Sequence, residues 1–374
     1  MSDSKLDNND GNEEIKDSNL EAISINLLYN GLKVQGDVYD ADATRLLIRS
    51  GSTLNDDSLR ALQSMNEGRN TLYVTQHAYR SMFENTPPED APSLQELEET
   101  TGYGEAAEET GEILDEIVAN KSVQKEAMHT VSSELSNKLE VTSQSTIMSL
   151  INALAPVDKY LQRHCVDVSL LNGLIGRWLG LPKTEIDNLV LIGLLHDCGK
   201  ALIPPKVLNA ARRLTVVEFE VIKMHALHTY DLLTEFPEGV RRSARGHHEK
   251  VSGAGYPDHL SKENLSLEAR VTAVSDIYDA MVSQRAYKTP RSPFNVLATL
   301  VELKGLELDS DLVDTFINNM PGELIDKPVV MSDGSFGVIR SYDPEDIEFP
   351  MVEVNGRVIK SGKNLFCTCM YTGD

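Results

Sequence analysis

Five histidines and two aspartates occur in order between residues 164 and 276: His164, the pair His196-Asp197, His225, the pair His247-His248, and Asp276. Four of the segments that carry them are apolar runs with helical spacing, where an unpaired imidazole or carboxylate costs free energy unless something binds it. The chain has nine histidines, so more than half belong to this set. A lone histidine on an apolar face is ordinarily a hydrogen-bonded core residue. Five, several of them next to an aspartate or to each other, read instead as a buried metal cluster.

The 374 residues allow two or three domains, and the 41% hydrophobic fraction is that of a globular chain. No run approaches the roughly 18 apolar residues of a membrane span. Residues 1–19 are polar and acidic and show no apolar core of a signal peptide, so a cytoplasmic location is expected. The four cysteines, Cys165, Cys198, Cys367 and Cys369, have no disulfide-framework spacing. Cys367 and Cys369 read as two thiols on one face of a terminal strand. A net charge of -23 argues against a nucleic-acid polymer or an anionic membrane as partner. An anionic substrate would have to be met by local cations and by metal.

The sequence predicts a mainly α protein: an all-helical bundle core with a small N-terminal α+β module and a small C-terminal β appendage. Residues 1–20 read as disordered. Residues 21–82 alternate short β-like runs with turns around a helical piece at Asp56–Met65, and form the α+β module. Residues 83–110 are acidic, free of Lys and Arg, and broken by prolines and glycines, which reads as a solvated linker. Residues 111–155 carry a helical apolar spacing (Ile113, Ile117, Met128, Val131, Leu135, Leu139) and read as connecting helices. These helices either pack on the next domain or pair in a homodimer. Residues 156–322 are almost all helical, with capping boxes at Thr184–Asp187 and Thr215–Glu218. Helices are expected over 238–248 and 267–284. Residues 323–374 read as short strands with hairpin turns at Asp333-Gly334 and Asn355-Gly356.

Adjacent residues on a helix point about 100° apart, so His196 and Asp197 cannot meet one ion in the same way. A carboxylate can bridge two cations while the imidazole binds one of them. That fits a two-metal site of the kind that activates a water and clamps a phosphoryl group. The all-imidazole and carboxylate set suits iron, manganese or nickel better than a thiolate zinc site. Lys200, a cation just past two of these ligands at a helix end, also stands out.

The run Leu195-His196-Asp197-Cys198-Gly199-Lys200 resembles the signature of the HD superfamily of metal-dependent phosphohydrolases. Ile203-Pro204, Lys223-Met224-His225, His247-His248-Glu249, Gly253-Ala254-Gly255-Tyr256-Pro257, Ala269-Arg270-Val271, Asp276-Ile277-Tyr278-Asp279-Ala280 and Ser283-Gln284-Arg285-Ala286-Tyr287-Lys288 resemble the HD-GYP subfamily in order and spacing. The resemblance implies a cyclic di-GMP phosphodiesterase of bacterial signalling that yields linear pGpG and then GMP. The alternatives are a non-hydrolysing cyclic di-GMP sensor, a module that docks a GGDEF-domain protein, or a hydrolase of another cyclic dinucleotide, and the intact ligand positions favour the enzyme.

Carried over residue by residue, the resemblance gives one metal to His164, His196, Asp197 and Asp276, and the other to Asp197, His225, His247 and His248. The implied cofactors are two divalent transition-metal ions, iron or manganese. Asp197 and Lys200 would be catalytic, with Lys200 on the scissile phosphate. Arg285 and Lys288 would hold substrate phosphates, and Tyr256 would stack on a guanine or face a partner protein. Some members carry a Glu one turn before the first histidine for a third metal; this chain has Tyr160 there, so two metals are expected. Ser252 stands where an Asp usually precedes the GxGYP segment, and Thr229, beside His228, replaces a common glycine.

Overall fold

The computed structural model describes residues 20–24, 34, 37–65, 71–75, 91–153, 160–210, 212–283, 291–363 and 365–373. They fall into two units, Met1–Asn85 and Thr86–Asp374.

In the first unit, strands β1 (Leu20–Ser24), β2 (Val38–Tyr39), β3 (Leu46–Ile48) and β4 (Thr71–Thr75) accompany helix α1 (Asp56–Met65). The strands pair antiparallel in the order β1-β4-β2-β3. Leu72 and Val74 alternate inward along β4 and pack in a small core with Val34, Val38, Leu54 and Leu62. Of the stretch read as disordered, residues 1–19 lie outside the described residues, while Leu20 already pairs with Thr75.

The second unit is helical: α2 (Leu94–Thr101), α3 (Tyr103–Asn120), α4 (Lys125–Val141), α5 (Gln144–Ile151), α6 (Tyr160–Trp178), α7 (Lys183–Leu195), α8 (Pro205–Leu208), α9 (Val216–Leu232), α10 (Glu238–Arg245), α11 (Leu267–Val282), α12 (Pro293–Leu303) and α13 (Ser310–Glu323). The acidic stretch read as a linker is corrected here over its described part. Leu97, Thr101, Tyr103, Ala106, Ala107 and Thr110 are buried, three or four residues apart or close to it, while Glu105, Glu108 and Glu109 face out. Ser93 and Glu96 form a capping box at the start of α2, and Gly102, at φ 69°, turns the chain into α3. The acidic residues coat one face of a helix pair whose other face enters the core.

Ile113, Ile117, Met128, Val131, Leu135 and Leu139 join that same core, so their apolar stripe is covered within the chain. The capping box at Thr215 forms, with Glu218 N–H donating to Thr215 Oγ1 (3.2 Å) and Thr215 N–H to Glu218 (2.9 Å). The one expected at Thr184 does not. Pro182 precedes the first helical residue, Lys183, and leaves Thr184 inside the first turn.

Strands β5 (Pro328–Met331), β6 (Phe336–Ser341), β7 (Met351–Val354), β8 (Arg357–Lys360) and β9 (Cys367–Met370) make an antiparallel sheet in the order β8-β7-β6-β5-β9. Asn355 and Gly356 both take positive φ, 52° and 72°, as the tight β7–β8 turn requires. Val329, Met331, Ile339, Val352, Cys367 and Met370 belong to the helices' core, so the sheet is built into this unit.

Asp309 ties three elements of the helical unit together. Its buried carboxylate caps α13 through the Asp311 N–H (3.0 Å) and accepts from Lys262 (3.0 Å) and from Arg270 of α11. Burial pushes this carboxyl up, and the two cations with the N–H outweigh burial, so its pKa lies below the usual value. Asp309→Ala is therefore expected to lower the unfolding free energy by about 2–4 kcal/mol, read from urea melts with an unchanged slope. Because the folded pKa is the lower one, the wild-type advantage is complete above the unfolded carboxylate value of about 3.9 and fades as pH falls through the folded value.

Candidate metal centre

Helices α6, α7 and α11 are stitched together by buried polar side chains. Ser169 Oγ donates to Val190 O (2.8 Å), and Asn172 Nδ2 donates to Leu189 O (3.0 Å) and to Thr272 Oγ1 (2.9 Å). This brings His164 of α6, His196-Asp197 at the end of α7 and Asp276 of α11 to one point. His164 Nε2 lies 3.2 Å from Asp197 Oδ2, 3.2 Å from Asp276 Oδ1 and 3.3 Å from His196 Nε2.

A second group forms on the other side of Asp197. His225 comes from α9; His247 and His248 follow the end of α10, because α10 stops at Arg245 rather than running to His248 as the sequence suggested. Gly246 closes that helix, and the freed backbone turns both imidazoles inward. His225 Nε2 is 3.3 Å from Asp197 Oδ1 and 3.3 Å from His247 Nε2, and His247 Nε2 is 3.8 Å from Asp197 Oδ1. His248 Nδ1 is 3.6 Å from Asp276 Oδ2. Asp276 thus faces both groups, where the sequence reading gave it to one.

The far nitrogens set the tautomers. His196, His225 and His247 each donate Nδ1–H to the carbonyl three residues earlier, Gly193 (2.7 Å), Ile222 (2.6 Å) and Ala244 (2.6 Å). A carbonyl only accepts, so in the neutral rings each Nε2 carries a lone pair. His164 turns Nδ1 to Asp279 Oδ2, 2.5 Å away, and Nε2 inward. Lone pairs and carboxylate oxygens converge on the same space, and Asp197 Oδ1 is buried without a hydrogen-bond partner. Such a set fits a cation on each side of Asp197. The ligand atoms of His164, His196 and Asp197 lie within 4.8 Å of one another, as do those of Asp197, His225, His247 and His248.

The electrostatics agree for three of the imidazoles, whereas at His164 burial acts downward but Asp197, Asp276 and Asp279 outweigh it and hold the pKa well above the usual value. Burial and neighbouring imidazoles push His247 far down, and burial is the main cause that takes His225 down to about 4 and His248 to about 3, which keeps these rings neutral as ligands must be. Burial opposes charge on Asp197, but Lys200 and the histidines outweigh it and hold the carboxyl well below its usual range. Lys200 ion-pairs with Asp197 Oδ2, so its amino group stands at the centre. The side chains of His164, His196, Asp197, His225 and His247 are sealed from solvent, whereas those of Lys200 and His248 are 17% and 23% exposed. The open side therefore runs past Lys200 and His248.

Local packing explains the turn after Asp197. A Cβ on Gly199 would overlap the His225 carbonyl oxygen and the Thr229 amide. Thr229 Oγ1 accepts from Gly199 N–H (3.0 Å) and donates to His196 O (3.1 Å), so the residue that departs from the common glycine clamps the turn onto α9. Glu249 is buried and accepts from the N–H groups of Asp258 (2.6 Å) and Leu260 (3.1 Å), which folds the loop after it back over the site. Gly255 in that loop lies against the Glu249 backbone, with no space for a Cβ. The fold then sets the half-buried Tyr256 ring on His248, centroids 4.7 Å apart, with Lys223 5.5 Å above it.

All seven sequence-derived ligand candidates thus meet at one centre. Tyr160 stacks on His164 (5.5 Å, 15°). His228 belongs to neither ligand group, and Ser252 only bridges to Ser261. Cys198 is buried, and burial pushes its thiol up to about 12. Arg285 and Lys288 lie outside the described residues. The sequence reading gave no role to Asp279 or Glu249. Asp279 was findable as a second carboxylate three residues after Asp276 on the same helix; Glu249 follows two ligands directly, but its backbone partners depend on a loop fold that no spacing encodes.

Residues 132–312 match the HD-domain family. The chain resembles that family over this segment, just under half of its length. It is 34% identical over 185 residues to the cyclic di-GMP phosphodiesterase response regulator RpfG of Xanthomonas campestris, across 48% of this chain and 49% of that one. It is 30% identical over 213 residues to a cyclic di-GMP phosphodiesterase of Pseudomonas aeruginosa, across 56% and 51%. A 3′3′-cGAMP-specific phosphodiesterase of Vibrio cholerae is 27% identical over 185 residues, across 48% and 35%. The chain spans about half the length, or less, of these curated relatives. An HDG"Y"P protein of Bdellovibrio bacteriovorus shares the fold, with TM-score 0.51, 16% identity, and coverage of 81% of this chain and 100% of that one. No helix among the described residues is long and apolar enough to cross a membrane.

Gly199→Ala should push the turn off α9 at a cost of about 3 kcal/mol, the upper end for overpacking, because backbone rather than a flexible side chain stands in the way. The thermal midpoint and the bound metal should fall together; a variant that melts and loads like wild type would remove Gly199 from this role.

Proposed function

We propose that this chain is a metal-dependent phosphodiesterase that opens cyclic di-GMP to linear pGpG, with GMP as the product of a second cleavage. The observation that carries the reading is Asp197: its two oxygens are divided between two imidazole groups, and one of them is buried without a partner. The relatives' names support the substrate class, and the full ligand set favours turnover over a sensor that has lost it.

His164, His196, Asp197 and Asp276 would hold one divalent ion, and Asp197, His225, His247 and His248 the other, with iron or manganese matching the nitrogen and oxygen donors. When bound, two such ions make water a nucleophile near neutral pH and neutralise charge on phosphoryl oxygens. The protein's own part is to aim the donors through carbonyl-anchored imidazoles, to keep the inner face dry, and to leave Lys200 on the open side for a phosphate oxygen. Arg285 and Lys288 would hold the substrate's phosphates. Tyr160, an aromatic ring where a third metal would need a carboxylate, supports a count of two.

Metal analysis of protein purified without oxygen, paired with chromatography of cyclic di-GMP digests, tests this. Two ions per chain and pGpG as product are expected. Asp197→Ala should lose both ions and more than 100-fold in turnover, beyond the roughly 10–100-fold typical of groups that only support a ligand. Retention of two metals with full turnover would refute the bridging role. Arg285→Ala and Lys288→Ala should each weaken substrate binding by about 1.5–3 kcal/mol and leave the metals in place. Faster cleavage of 3′3′-cGAMP than of cyclic di-GMP would reassign the substrate within the same class.

A further inference from the structure

A cavity of about 540 Å³ opens between α8 and the first turn of α9, and the metal centre makes no use of it. Its walls are largely apolar: Val207 and Leu208 of α8, Leu214 of the connecting segment and the Phe219 ring of α9. Arg212 and Arg213 also line it. Arg212 is committed, because its guanidinium holds both carboxylate oxygens of Glu218, at 2.8 and 2.6 Å. The Arg213 guanidinium has no acidic partner among the described residues; only its carbonyl oxygen is used, accepting from Arg212 at 3.1 Å. In a chain of net charge -23, a guanidinium without a carboxylate stands out. The cavity is tied to the metal centre from two sides. α8 follows Lys200 after one short turn, and α9 carries His225. Lys223 Nζ lies 5.0 Å from the centre of the Phe219 ring and 5.5 Å from that of Tyr256, whose ring is 4.7 Å from His248. The Phe219 wall thus leads through Lys223 and Tyr256 to the partly exposed His248.

We propose that this cavity is a nucleotide subsite: it takes the nucleotide unit of the cyclic dinucleotide that does not sit at the metals, with the base on Phe219 and the phosphate met by Arg213 and Lys223. The inference rests on the reading of this chain as a cyclic-dinucleotide phosphodiesterase and says where the rest of that substrate goes. Only one phosphodiester can lie at the ions and Lys200, so the second nucleotide extends beyond them along the open side. A nucleotide joins a flat, polarisable face to an anion. An aromatic ring among aliphatic walls suits the first, and it tolerates any base because every base has a π-face. An arginine without a carboxylate suits the second. Lys223 pairs with Glu220 at 2.7 Å, but that carboxylate is 60% exposed, so the pair is weak and gives way to a phosphate. The volume lies within the range of small-molecule sites, about 300–1,000 Å³. An apolar side chain of a partner protein would fit the same walls but would have no use for the unpaired cation. A cationic ligand would find no free acid in the cavity wall, since Glu218 is held by Arg212 and by the Thr215 N–H.

Steady-state kinetics of the manganese-loaded full chain test this. Phe219→Ala and Arg213→Gln should each raise KM for cyclic di-GMP about tenfold. In both, kcat should stay within about twofold of wild type, the pattern of lost binding rather than lost chemistry. Cleavage of bis(p-nitrophenyl) phosphate should not change, because that ester has no second nucleotide to place. Arg213→Lys should recover part of the loss, and Val217→Ser, a change at a neighbouring side chain that is 75% exposed, should behave as wild type. If Phe219→Ala does not fold, Phe219→Leu, which keeps an apolar wall without a ring, carries the same test. A second arm needs neither metal nor turnover: GMP titrated calorimetrically into metal-stripped protein should bind, and both variants should weaken it about tenfold. A wild-type KM in either variant, or an equal loss against bis(p-nitrophenyl) phosphate, overturns the proposal. If the wild type cleaves no cyclic dinucleotide, the substrate reading fails and the GMP arm decides alone. GMP binding that depends on Phe219 and Arg213 then keeps the subsite, while absent binding, or binding untouched by both variants, sinks it.

Discussion

The structure turns on one carboxylate. Asp197 is sealed from solvent, faces imidazoles through both oxygens, and has one oxygen without a hydrogen bond. A buried carboxylate in that state costs several kcal/mol unless positive charge meets it. Lys200 supplies one cation on the Oδ2 side. Nothing among the described residues supplies one on the Oδ1 side, where three histidines turn toward it. The helices around it can be understood as a device for holding these mutually unfavourable groups in register until cations relieve them. The carbonyl anchors on His196, His225 and His247 do this cheaply, because each uses backbone already fixed by the ring's own helix or turn.

Much of that centre was legible in the sequence, and for a clear reason. His196-Asp197 and His247-His248 are adjacent pairs in apolar surroundings, and such chemistry is expensive enough to stand out against any background. The pair geometry suggested that Asp197 bridges two cations, and the resemblance to HD-GYP proteins assigned the two groups that share it. What was not legible depended on exact turn positions. The position of His247 and His248 beyond α10 needed the end of that helix to be known, and Gly246 gave only a weak cue among three glycines in ten residues. The dual reach of Asp276 needed the angle at which α11 crosses α6, which no local pattern carries.

The acidic stretch before the core shows the opposite failure, in which composition outweighed spacing. Residues 91–120 hold many carboxylates and no basic residue, as a solvated linker would. Net charge is an average over all faces of a helix, however, and in α3 the buried Tyr103, Ala106, Ala107 and Thr110 share one of them, as Leu97 does for α2. A hydrophobic face this narrow, with alanine and threonine in place of leucine, buries little area per residue but lets helices approach closely. Small residues keep a composition polar while the packing remains tight.

That same close approach gives the helix pair its structural importance. An ordinary linker could not carry a tyrosine into the core of the helical unit. Once α3 is docked, Tyr103 is fixed by its ring under Arg163 and by its hydroxyl, which donates to the Arg163 carbonyl oxygen beside His164. The metal centre therefore has two unequal sides. On the open side the side chains of Lys200 and His248 are partly exposed to solvent. On the closed side His164 leans on Asp279 of α11, and its neighbour Arg163 meets Tyr103 of α3 and Glu98 of α2, helices that precede the matched segment. Of these four imidazoles, His196, His225 and His247 are anchored to carbonyls of their own segments, whereas His164 leans on a side chain from another helix, so its aim depends on how α6 and α11 pack.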